Sequence, residues 1–191
     1  MKKAGVIILA LLCVALLCGG FYLVKERSER SRNPEVELTT VQKITTKDLD
    51  QNYPATPREV VKLYNRIITC YYKEEYTEEE LGQLADQSLS LFDADLQANN
   101  PKELYMSSLH EEIADYHQRE RYIAQSNVCD SSDVLYKTID GDEIAYVNAS
   151  YFVREGTGYC KTYQQYVLRK NAEGEWRILV FYQIEGPQED E

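Results

Sequence analysis

The stretch NASYFVREGTGYCKTYQQYV, Asn148–Val167, decides the fold, because it sets aromatic and β-branched residues in alternation on both sides of a Gly-Thr-Gly break. A period of two with a glycine-bounded reversal is the signature of a β-hairpin, one face of each strand packed and the other outward. The same period continues on either side. Val134–Ile139, Glu143–Glu155, Tyr159–Lys170 and Trp176–Ile184 read as strands, separated by turns at Asp140-Gly141, Gly156-Thr157-Gly158 and Asn171–Gly174. Four antiparallel strands are expected after about Ser126.

Upstream of Ser126 the period is 3.6. Three helix starts carry their own local chemistry: Thr56-Pro57-Arg58-Glu59 and Thr77-Glu78-Glu79-Glu80 are capping boxes, and Asn100-Pro101-Lys102-Glu103 offers an Asn cap followed by Pro and an acid. Each start leads into an apolar stripe. The first runs through Val60, Val61, Tyr64, Ile67, Ile68 and Tyr71, the second through Leu81, Leu84, Ala85, Ser88 and Phe92, the third through Tyr105, Leu109, Ile113, Tyr116 and Ile123. The fold class is therefore α+β: three helices packed on a four-stranded antiparallel sheet, over residues 56–185.

Loop lengths assign faces. A three-residue Gly-Thr-Gly loop pairs Tyr151 with Tyr163, and a four-residue loop at Asn171–Gly174 pairs Tyr163 with Tyr182. Tyr151, Tyr163 and Tyr182, with Val147, Ala149, Val167, Ile178 and Val180, then face the helices, and together with Tyr64 they are the candidate pocket residues. The other face carries Tyr146, Phe152, Tyr166, Leu168, Leu179 and Phe181. It is too apolar to be merely solvated, and Tyr146, Phe152, Tyr166 and Phe181 are the candidate partner face. An error of one residue in either loop exchanges these faces.

The chain begins differently. Lys2 and Lys3 precede the uncharged run Ala4–Val24, long enough at ~1.5 Å per residue to cross a hydrocarbon core of about 30 Å. A membrane helix is expected at residues 1–24. The run exceeds a cleavable signal's apolar core, and Leu12 and Leu17 before Cys13 and Cys18 do not suit lipidation. A short basic head favours an inward N-terminus and an outward C-terminal domain, although Lys25, Arg27, Arg30 and Arg32 follow the run. Residues 25–55 are polar and read as a juxtamembrane linker in which Val36, Leu38, Val41 and Ile44 suggest a short strand. Residues 186–191 form an acidic tail.

Charge excludes some functions. Residues 1–32 sum to +4 within a chain of net charge −11, leaving −15 for the rest, a balance that repels phosphate backbones and makes nucleic acid a poor partner. Outside the apolar run Cys70, Cys129 and Cys160 show no metal-ligand spacing, and an extracytoplasmic location allows one disulfide among them. His110 and His117 stack on one side of the third helix, away from its apolar stripe, and read as solvated. Glu78-Glu79-Glu80 suits a helix start. Asp140-Gly141-Asp142 lacks the other ligands of a calcium loop. No catalytic residue, cofactor or metal is expected.

Helices followed by a long-stranded sheet ending in Glu173-Gly174-Glu175-Trp176-Arg177-Ile178, a Gly-x-Trp-x-Ile pattern, resemble the nuclear-transport-factor-like and SnoaL-like superfamily of cystatin-like α+β domains over about Thr56–Ile184. The whole chain also resembles small membrane-anchored proteins of clostridial bacteria. The resemblance implies a curved sheet wrapped around helices into a cone with an internal pocket, and dimerisation through the sheet. Enzymes of that superfamily place an Asp, His or Tyr in the cone as acid or base, and an unaided Tyr, with a reference pKa of about 10, is a poor base. The expectation is a membrane-anchored extracytoplasmic module that binds an envelope protein or a small ligand without catalysis. The alternative is a small cofactor-free isomerase, dehydratase or hydrolase acting inside the cone.

Overall fold

The computed structural model describes residues 37–186. Five helices come first: α1 Thr40–Thr45, α2 Pro57–Lys73, α3 Glu78–Ser90, α4 Ala94–Asn99 and α5 Lys102–Gln118. Five strands follow: β1 Arg121–Val128, β2 Leu135–Ile139, β3 Asp142–Glu155, β4 Gly158–Lys170 and β5 Trp176–Ile184. All pairings are antiparallel. The sheet runs β1-β3-β4-β5, and β2 takes the other half of the β3 edge that β1 occupies. The α+β class and the antiparallel sheet match the sequence reading. The count of four strands and three helices does not.

The missed strand is β1. Its residues, RYIAQSNV, alternate poorly because the pairing with β3 slips between Ile123 and Gln125, so Ile123 reads as readily as the end of a helical stripe. The backbone decides it: α5 stops at Gln118, and Glu120 turns left-handed with φ of 50°. The change of period thus falls at Arg121 rather than Ser126.

The expected linker is also corrected. Residues from Leu38 belong to the compact body. Thr39 and Gln42 form a capping box, and α1 buries Val41 and Ile44, so these residues sit on a helix and not on a strand. Downstream, Tyr53 donates its hydroxyl to Trp176 O at 2.9 Å while Arg177 lies over the Tyr53 ring at 4.3 Å. Six residues were too few for a helical period to stand out from polar neighbours. The expected membrane helix at Ala4–Val24 and the tail from residue 187 lie outside the described residues, among which no helix is long and apolar enough to cross a membrane.

The two expected capping boxes form. Thr56 Oγ1 accepts from Glu59 N and Thr77 Oγ1 from Glu80 N, both at 3.2 Å. The Asn100 cap does not: Pro101 holds the position before α5 with no side-chain bond, and Asn100 Nδ2 instead donates to Leu96 O at 2.9 Å, closing the end of α4. The helical stripes and one sheet face share a single core, with Val60, Val61, Ile67, Leu81, Leu84 and Leu109 against Val147, Ala149, Leu168 and Ile178. Full burial of one such aliphatic side chain contributes about 1.5–3 kcal/mol.

Two loop lengths change the faces. Glu155 pairs with Gly158, so the first hairpin turns in two residues, with Gly156 at φ 54°, a conformation that costs a glycine little. Tyr151 therefore opposes Thr162, and Tyr163 opposes Ser150. The second loop holds five residues, Asn171–Glu175, and β5 then bulges: Leu168 pairs with Ile178 but Val167 with Val180. Strand β3 faces as read. On β4 the faces are exchanged, and on β5 the bulge at Leu179 turns both Ile178 and Phe181 toward the helices.

Candidate ligand cavity

Between the helices and the sheet lies a cavity of about 290 Å³, reached from α2 and α5 on one side and from β1, β3, β4 and β5 on the other. Seven tyrosines line it (Tyr64, Tyr71, Tyr72, Tyr105, Tyr116, Tyr151 and Tyr166), with Phe181 completing the aromatic wall. Of the residues read as a pocket, Tyr64 and Tyr151 are there. Tyr163 and Tyr182 are not: they sit on the outer face, where Tyr182 is 45% exposed. Conversely Tyr166 and Phe181, read as partner face, are inside, while Tyr146 and Phe152 remain outside. The one-residue difference in the Gly-Thr-Gly loop moves Tyr163 and Tyr166, and the β5 bulge moves Phe181 and Tyr182.

The deep end is a hydrogen-bonded cluster. Asn65, an amide on the buried stripe of α2, accepts from the Tyr151 hydroxyl through Oδ1 at 2.6 Å. The single proton of the Tyr166 hydroxyl has two close acceptors, the Tyr151 oxygen at 2.5 Å and Gln164 Oε1 at 2.9 Å. Asn65 Nδ2 is buried without a partner among the described residues. Farther along, the Tyr71 hydroxyl meets Ser88 Oγ at 2.8 Å and the Tyr105 hydroxyl at 3.4 Å.

Toward solvent, Tyr72 stacks on Tyr116 with centroids 3.9 Å apart and planes 18° from parallel. The guanidinium of Arg121 lies 5.3 Å from the centre of the Tyr116 ring, while its Nη2 pairs with Glu155 at 2.9 Å. Beside this pair stands Glu112, exposed, the single ionisable carboxyl among the lining residues, which include no Lys, Arg or His.

Electrostatics follow from this arrangement. Burial raises all seven phenols above their ordinary range, and the Glu112 charge raises Tyr64, Tyr72, Tyr105 and Tyr116 further. At neutral pH these groups are neutral hydrogen-bonding phenols, unsuited to abstracting protons. A consequence can be measured. Because the folded pKa values lie above the ordinary 10.0, the unfolded chain holds fewer protons in alkali. Stability is then fully present below about pH 10 and falls as pH rises beyond it. Circular dichroism and tyrosinate absorbance followed together should show these phenols ionising with unfolding; ionisation of all tyrosines near pH 10 with the fold intact would contradict their burial.

The remaining sequence candidates are peripheral. His110 bonds Glu78 at 3.2 Å on the surface, which raises its pKa, and His117 is exposed. The three described cysteines are free, so no disulfide links them; burial pushes the Cys70 thiol up to about 11, while Cys160 is exposed. Glu112, Tyr72 and Gln164 were missed. A signal for the first existed: Tyr105, Leu109, Glu112 and Tyr116 follow helical spacing, which puts one acid within an aromatic stripe.

No curated protein matches the chain. A family model described as a domain of unknown function, DUF6715, matches residues 1–181. That match spans nearly the whole sequence, and the chain belongs to the DUF6715 family.

Proposed function

We propose that this chain is a membrane-anchored, extracytoplasmic binding module of the cell envelope, held by a single-pass helix at Ala4–Val24 and engaging its ligand or partner without catalysis. The observation that carries the reading is the cavity: an aromatic lining whose phenols stay protonated offers contact area and hydrogen bonds but no base. The order of helices before a long antiparallel sheet, with space between the layers, accords with a cone of the nuclear-transport-factor-like kind. The outer face supplies a second contact surface, where Leu135, Val180 and Tyr182 are exposed beside Tyr146, Phe152 and Tyr163. An envelope protein or a second copy of the chain is the occupant that this face suits.

One observation favours the alternative, a small cofactor-free enzyme: Glu112 is a carboxylate at the cavity. It stands exposed at the mouth of the cavity rather than among the buried phenols, and we place it in recognition. Two experiments test the reading together. Protease treatment of intact cells producing the full chain should degrade the C-terminal body, and crosslinking followed by purification from solubilised membranes should yield a defined complex or homodimer. A protected body, or a solitary monomer under every crosslinking condition, overturns it.

A further inference from the structure

We propose that the tyrosine cavity receives a small organic ammonium ion, its charged head placed among the phenols with Glu112 as counter-charge. This rests on the binding-module reading and names the ligand class. Charge is the first argument. The lining contains one carboxylate and no cation, so an anionic ligand would meet repulsion and no counter-charge. Among the described residues Glu112 makes no ion pair: the nearby Arg121 is committed to Glu155.

Hydrogen bonding is the second argument. The hydroxyls of Tyr64 and Tyr72, on side chains 5% and 8% exposed, line the cavity, with Tyr105 beside the first and Glu112 beside the second. A phenol oxygen and a carboxylate can each accept further hydrogen bonds, and a ligand rich in N–H donors supplies them. A wholly apolar ligand adds none.

The rings are the third. An ammonium near aromatic faces is attracted by the negative face of each ring, the more so as water is excluded. The rim already holds one such contact, Arg121 on Tyr116.

The test uses the full chain in nanodiscs of zwitterionic lipid and three probes of one shape: n-butylammonium, n-butanol and butyrate, followed by ligand-observed NMR, with empty nanodiscs as the blank. Saturable binding of n-butylammonium ahead of the other two is expected, weakened about tenfold by Glu112→Gln, or about 1.4 kcal/mol. Glu112 is exposed, so this variant should fold, and Tyr72→Phe should weaken binding independently. Equal or tighter binding of butanol or butyrate, an unchanged affinity in both variants, or no binding of n-butylammonium overturns the proposal. The binding-module reading falls separately, with the protease and crosslinking experiments.

Discussion

Arg169→Met is expected to destabilise the fold by about 3–5 kcal/mol, the effect of leaving a buried carboxylate without its partner. Arg169 on β4 donates Nε to Asp93 Oδ2 at 3.1 Å and pairs Nη2 with Asp93 Oδ1, and it also reaches Asp95 at 2.7 Å and Asp142 at 3.6 Å. The Asp93 side chain is 6% exposed. It caps α4 by accepting from Asp95 N at 3.0 Å, while its own backbone N–H donates to Ile178 O at 2.8 Å, tying the helical layer to β5. Without the guanidinium, three carboxylates face one another around that junction.

Asp93→Asn on the Arg169→Met background should recover part of the loss. Chemical denaturation of the full chain in detergent measures both. A loss under 1 kcal/mol would mean the pair is solvated, contrary to its position.

The second large effect separates two tyrosines of similar sequence surroundings. Tyr166→Ala should cost about 3–5 kcal/mol and Tyr182→Ala no more than about 0.5. Tyr166 is fully buried, packs 5.9 Å from Tyr64 and 5.5 Å from Phe181 between ring centres, and joins the Asn65 cluster through its hydroxyl. Tyr182 is on the outer face and donates to Gln165 Oε1 at 2.6 Å. The register read directly from sequence gives the reverse order, so the pair of variants decides between them.

That reversal shows what the sequence carried and what it did not. The capping boxes at Thr56 and Thr77 are local chemistry, complete within four residues, and were legible as such. Strands β3, β4 and β5 announced themselves by alternation to within a residue or so. Their registers depended on how many residues each loop keeps unpaired, which alternation does not encode: Gly158 reads equally as loop or as strand. The bulge at Leu179 was hidden because Ile178, Leu179, Val180 and Phe181 are all apolar, and no alternation remains in such a run to mark a slip.

The candidate site suffered in proportion. Tyr64 lies on a helix whose stripe needs no partner register, and Tyr151 on the strand from which the register was counted; both were placed inside. Tyr163 and Tyr182 inherited the loop errors. Glu112 was passed over because Ile113, one residue on, accounted for the helical stripe. The Asp93–Arg169 pair joins residues 76 apart in sequence, and no local pattern links them.

The placement of the aromatic rings supports every later step, and nitration of native protein with tetranitromethane, mapped by mass spectrometry, tests it most directly. Tyr159, 65% exposed, should react promptly, and Tyr71, Tyr151 and Tyr166 only after unfolding. Nitration of Tyr166 as fast as Tyr159 in the folded protein would contradict the register, and with it the cavity.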